Sequence, residues 1–341
     1  MVLSLPKLIG INFHGYSSSA YQNRYTPLPP QNYIGDSFKI FADNRITCIR
    51  VTFYWESWEL DRNQFHEDLK AIGEVAEKHG LMCIYDNHQW ECSSWIGSGI
   101  GFPNSIMAKY FQKTTTGDKP KYDTKKHFWN KWWNRQIKTA DEVDGWNAQL
   151  TYLVDVVRLL NHRKSTYGFE ILNEPQVFAT SYYQKIGKYY DYMINGIRKV
   201  TNKPLFFCRA SPHRIIDNPV LQELASPRRK DNVIYDCHPY PPYTFYMLYY
   251  KLITLLMGKI PLYIGEFNST LTKNVGFTER QMSQYLKRFK RFRTCGWALW
   301  RWSYIPDRNI QAFNMTEIRD NRICPGKYFK FFVNALKTTK Y

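Results

Sequence analysis

Two glutamates in the 341-residue chain each close an apolar run: Glu174 in Asn-Glu-Pro at 173–175, and Glu266 in Ile-Gly-Glu-Phe at 264–267. A pair of carboxyl groups can cleave a glycosidic bond, one attacking the anomeric carbon while the other protonates the leaving oxygen and later activates water. A single Glu in such a place is more often structural, paired with an Arg, whereas two point to chemistry. Other polar and aromatic residues also end apolar runs: Asn12 and His14, Arg50 and Tyr54, Asp86, Asn87, His88 and Trp90, Asn173, His238 and Tyr240, Asn268, and Trp300 and Trp302. Arg209 and Ser211 end a further run and say least.

The runs that carry these residues read as eight strands, at 8–15, 46–55, 81–90, 167–175, 204–211, 233–240, 261–269 and 296–303. Each is apolar first and polar last, as parallel strands covered on both faces are. Helical periodicity fills most of the gaps, best marked at 61–80, 146–164, 181–200 and 277–292, the first opening on Asp61 and closing at Gly80. Strand-then-helix order repeated eight times predicts an α/β fold of the (β/α)8 TIM barrel type, one domain over 1–341. The site of such a barrel lies at the C-terminal strand ends, where Glu174 on strand four faces Glu266 on strand seven.

The third connection, 91–145, is far longer than a barrel needs, and loops of that length usually serve function. It carries Trp95, Trp129, Trp132, Trp133 and Trp146 among Lys and Asn. The expectation is a Trp-rich insertion forming part of the cleft; the alternative is a small subdomain packing its own rings.

Formal net charge is +18, yet the basic residues are spread along amphipathic helices such as 285–293 rather than gathered in a nucleic-acid module, so no nucleic-acid partner is expected. The longest apolar stretch, 245–257, is interrupted by Lys251 and falls short of the roughly 20 residues a membrane-crossing helix needs, so no membrane partner is expected either. No secretory leader is visible in the first residues, which leaves export open. The seven Cys show no Cys-x-x-Cys pair or zinc spacing. Cys48, Cys83, Cys208, Cys237 and Cys295 fall in apolar runs and should be buried thiols, while Cys92 and Cys324 lie in loops where a bridge between them is open. A monomer without metal or cofactor is expected.

The Asn-Glu-Pro and Ile-Gly-Glu-Phe contexts, each closing its strand, resemble glycoside hydrolase family 5, and the resemblance spans nearly the whole chain. It implies a retaining β-glycoside hydrolase with Glu174 as acid/base and Glu266 as nucleophile. It also implies a substrate site from Arg50 on strand two, His88 on strand three, Asn173 on strand four, His238 and Tyr240 on strand six and Trp300 on strand eight, to which His14 and Trp90 are added. Arg50 and Tyr240 are expected to hold Glu266 charged. The Glu174 pKa is expected to be raised by an apolar setting and by Glu266. The expected substrate is a β-linked polysaccharide or oligosaccharide, β-1,4-glucan cut internally before β-mannan; a barrel that binds sugar without cleaving it is the rival.

Overall fold

The computed structural model describes residues 7–16, 29–97, 99–115, 118–240, 243–268, 276–307 and 309–339. Eight parallel strands close into a barrel. They are β1 (Leu8–His14), β2 (Cys48–Phe53), β3 (Met82–Asn87), β4 (Thr166–Glu170), β5 (Leu205–Cys208), β6 (Val233–Cys237), β7 (Leu262–Phe267) and β8 (Gly296–Ser303). β1 pairs with β2 on one side and β8 on the other, which closes the ring. All eight expected strands are present. The fourth ends at Glu170, so Asn173 and Glu174 stand on the turn beyond it, and the last position of the expected 261–269 run lies outside the described residues.

The outer ring holds α1 (Tyr33–Asp43), α2 (Arg62–Lys78), α3 (Gly145–Leu160), α4 (Tyr183–Ile197), α5 (Pro219–Leu224), α6 (Tyr243–Leu256), α7 (Glu279–Arg291) and α8 (Lys327–Thr339). Local signals set their ends. The Asp61 carboxylate accepts the Gln64 amide at 3.0 Å to start α2, and Gly80 just beyond it takes a left-handed φ of 66°. Thr278 and Gln281 form a reciprocal capping box on α7. Among the described residues no helix is long and apolar enough to cross a membrane.

The barrel interior is layered. One residue from each strand (Leu8, Cys48, Ile84, Tyr167, Phe206, Ile234, Tyr263 and Ala298) packs into an apolar floor. Above it sits a charged layer with Arg50 at its centre. Gly265 on β7 is required there, because a Cβ would lie 2.0 Å from Asp236 Oδ2, while its own N–H donates to Asp236 Oδ1 at 2.6 Å.

The Trp-rich run does not line a cleft. Trp129, Trp132 and Trp133 are 0%, 0% and 2% exposed, on a helix, Tyr122–Trp133, inside the insertion. Trp129 stacks on Trp133 at 5.3 Å and Trp132 meets Phe102 edge-on at 4.9 Å. The Trp133 indole donates to Gln176 O at 2.8 Å, and that of Trp146 to Trp132 O at 2.9 Å. Trp132 also meets Trp55 at 6.5 Å and Trp133 meets Tyr189 at 5.6 Å, so the insertion's rings, at helical spacing, extend the one core that lies between the barrel and its helices. All seven Cys carry free thiols; Cys92 is buried, and no Cys92–Cys324 bridge forms.

Candidate active site

Arg50 organises the mouth of the barrel. Its side chain is fully buried on β2 and every guanidinium nitrogen is spent. Nε donates to Glu170 Oε2 at 2.8 Å, Nη1 to Asn12 Oδ1 at 2.9 Å and Glu266 Oε1 at 3.0 Å, and Nη2 to Asn173 Oδ1 at 2.9 Å. Asp86 and Asp236 lie 3.1 and 3.8 Å away. Four carboxyl groups thus surround one guanidinium. Burial alone favours neutral Arg50, but the acids outweigh it and hold its pKa well above the ordinary value. Burial, reinforced by Asp86 and Asp236, pushes the Glu170 carboxyl well above the usual carboxylate range even against the opposing pull of Arg50.

Glu266, second to last on β7, is 5% exposed and takes a second donor, the Tyr240 hydroxyl at 3.1 Å. Glu174 differs: a third of its side chain is open to water, and its Oε1 lies 2.7 Å from His238 Nδ1. The Glu174 backbone has a φ of 41°, a left-handed conformation that a non-glycine residue holds only when its surroundings over-determine it. Those surroundings are Asn173, pinned by Arg50, and Gln89, whose amide donates to both the Asn173 and Glu174 carbonyls at 3.0 Å. One oxygen of Glu174, one of Glu266 and a nitrogen of His238 lie within 4.8 Å of one another.

The electrostatics of this trio correct one expectation. Burial pushes the Glu174 carboxyl up, but the His238 hydrogen bond and the charges of His238, His88 and Arg50 outweigh it, leaving its pKa below the ordinary value. Burial opposes charge on His238, yet Glu266 and Asp236 hold its pKa well above that of an ordinary histidine. The pair therefore shares one proton, resident on His238 when the site is empty. The same trio, and the set Glu170, Cys208 and His238, converge closely enough to hold a metal ion, which would have to displace the proton on His238.

The remaining candidates fall into place around these groups. His88 Nδ1 lies 2.7 Å from Asp86 Oδ2, and its ring stacks on Trp300 at 5.4 Å. His14 is fixed by Tyr54 at 2.7 Å and touches the same Trp300 ring. Trp300 is 8% exposed, and Trp90 stands open at 44%. The residues the sequence reading passed over are Glu170, Asp236 and Gln89. The first two carried a signal, since an acid inside a buried apolar strand must have a partner.

A family model described as cellulase (glycosyl hydrolase family 5) matches residues 7–305. The chain belongs to glycosyl hydrolase family 5. It is therefore a retaining glycoside hydrolase. No curated protein matches the sequence. Among solved structures, endo-glycoceramidase II from Rhodococcus sp. is similar with a TM-score of 0.69 at 16% identity, covering 96% of this chain and 78% of that one. An endogalactoceramidase gives 0.69 at 14%, covering 97% and 80%. The catalytic domain of a Thermobifida fusca endoglucanase gives 0.56 at 15%, covering 87% and 80%. At such identities the likeness bears on the fold, and it matches the family 5 barrel described above.

Proposed function

We propose that this family 5 enzyme cleaves a β-glycosidic bond by double displacement, with Glu266 as nucleophile and Glu174 as acid/base. The observation that carries the reading is the approach of the two carboxyl groups, an oxygen of each within 4.8 Å. A gap of about 5–5.5 Å lets a carboxylate attack the sugar directly, whereas an inverting enzyme needs about 6.5–9.5 Å to seat a water. Glu266, with donors from Arg50 and Tyr240, is oriented for attack. Glu174, open to solvent and bonded to a protonated imidazole, is placed at the leaving oxygen.

The charge balance couples the two roles. The charge of Glu266 holds the proton on His238, and that charge disappears when Glu266 forms the glycosyl ester. Its loss makes His238 a stronger acid as the leaving oxygen needs a proton, so the proton passes through Glu174. Hydrolysis of the ester by a water that Glu174 deprotonates restores the charge. Asn173 spends its oxygen on Arg50 and one amide hydrogen on Gln89 O at 2.9 Å, and its second hydrogen serves the sugar 2-hydroxyl. His88, with Nδ1 committed to Asp86, presents Nε2 to the sugar; Trp300, His14 and Trp90 complete the walls.

The substrate reading is β-1,4-glucan cut internally, with β-mannan next. A second reading, the sugar of a glycoceramide, is favoured by the higher TM-scores to the ceramidase-named structures. Turnover of glucans, mannans and a glycosylceramide by the purified enzyme separates these. Azide tests the roles: with an activated β-aryl glycoside, Glu266→Ala should form the α-glycosyl azide and Glu174→Ala the β-glycosyl azide. The opposite pattern would exchange the assignments.

A further inference from the structure

Helix α6 begins three residues after Tyr240, at the rim of the mouth, and runs down the outside of the barrel. Barrel helices normally bury one face and solvate the other. The buried face of α6 is as expected, with Met247, Tyr250, Ile253 and Met257 at most 3% exposed. The opposite face is apolar too. Leu248, Leu252, Leu255 and Leu256 are 66%, 47%, 48% and 42% exposed, a single stripe at helical spacing, with Lys251 beside it. The neighbouring α5 packs on α6 and continues the pattern: Val220 and Leu224 are exposed, and Ile216, just before it, is 85% exposed.

The helix on the other side of α6 is the reverse in chemistry. α7 carries Arg280, Lys287, Lys290 and Arg291 in exposed positions, with Arg293 just past its end and Glu279 as its one acid. Between residues 243 and 293 there are nine Lys and Arg against two Glu, and one of those, Glu266, is inside the barrel. An apolar stripe bordered by cations is what a helix lying at an anionic lipid interface requires, its leucines sunk about 5–10 Å and its cations at the headgroups. Net charge argues against a second copy as the occupant, since each copy brings +18 to the contact.

We infer that α5, α6 and α7 form a docking surface for an anionic lipid bilayer on the flank of the barrel. This departs from the expectation of no membrane partner and stands independently of which glutamate attacks. Leucines exposed on the α6 face can be changed without opening the core.

The test is co-sedimentation of the purified protein with vesicles of phosphatidylcholine, with and without phosphatidylserine, beside turnover of a soluble aryl β-glycoside. The wild type should partition about tenfold more onto the serine-lipid vesicles. Leu248→Asp with Leu252→Asp should lose about tenfold of that binding, as should Lys287→Glu with Arg291→Glu, while aryl glycoside turnover stays unchanged. Equal binding by the leucine variant, or no binding by the wild type to either vesicle, overturns the proposal. So does a concentration-dependent dimer that the leucine variant abolishes, because it assigns the face to a second copy. Vesicle binding without aryl glycoside turnover would leave the docking surface standing and count against the catalytic reading alone.

Discussion

His238 Nδ1 lies 2.7 Å from Glu174 Oε1, and the same nitrogen is 3.8 Å from Glu266 Oε2. One imidazole thus senses the charge of both carboxyl groups. The pair it makes with Glu174 holds a single proton at neutral pH, because the Glu174 pKa is low and the His238 pKa high. With Glu174 in the proposed acid/base role, loss of that proton, governed by the raised His238 value, should set the alkaline limb of kcat/KM. In His238→Asn the proton rests on Glu174 alone, so the alkaline limb should move toward acid pH. A pH profile on a substrate with a poor leaving group checks this, and an unmoved alkaline limb would show that His238 does not carry the proton.

Arg50 and Glu170 should respond to substitution in opposite ways. Removing the guanidinium in Arg50→Met leaves a buried carboxylate cluster without its cation, which costs about 3–5 kcal/mol. The orphaned acids then have folded pKa values above their unfolded ones. Their contribution to stability is present at low pH and lost as pH rises, so the variant's melting deficit should be larger at pH 8 than at pH 5. Glu170 already favours its neutral form and has one carboxyl oxygen without a partner. Glu170→Gln should therefore melt within about 1 kcal/mol of the wild type. Thermal melts of both variants at the two pH values decide the matter.

The insertion makes a contrast between rings of one type. Trp133→Ala should cost about 3–5 kcal/mol of stability, the usual loss for a buried Trp, with no selective effect on long substrates. Trp90→Ala should leave the melting temperature near that of the wild type and raise KM for long chains more than for a short aryl glycoside. Melting curves and KM for two chain lengths test both halves.

These contrasts show what was legible in the sequence. All eight strands could be read because parallel strands covered on both faces are continuous apolar runs, and the polar residue closing each run marks the mouth. Trp129, Trp132 and Trp133 misled because sugar platforms and the protein core use the same rings, and composition does not say which way a ring faces. The Glu174 pKa was illegible for another reason. Its direction depends on His238, 64 positions away and just past the end of β6, and only the folded barrel brings the imidazole to 2.7 Å. Glu170 and Asp236 were visible as acids inside apolar strands, but their shared partner, Arg50, emerges only when β2, β4 and β6 close around it.

The central claim is that Glu266 attacks the sugar while Glu174 handles the proton, and covalent trapping tests it most directly. A 2-deoxy-2-fluoro β-glycoside with a good leaving group slows hydrolysis of the glycosyl ester enough for the labelled peptide to be isolated and sequenced by mass spectrometry. The account predicts a stoichiometric label on Glu266, within the peptide that holds Ile264 and Phe267, and none on Glu174. A label on Glu174, Glu170 or Asp236 would contradict it.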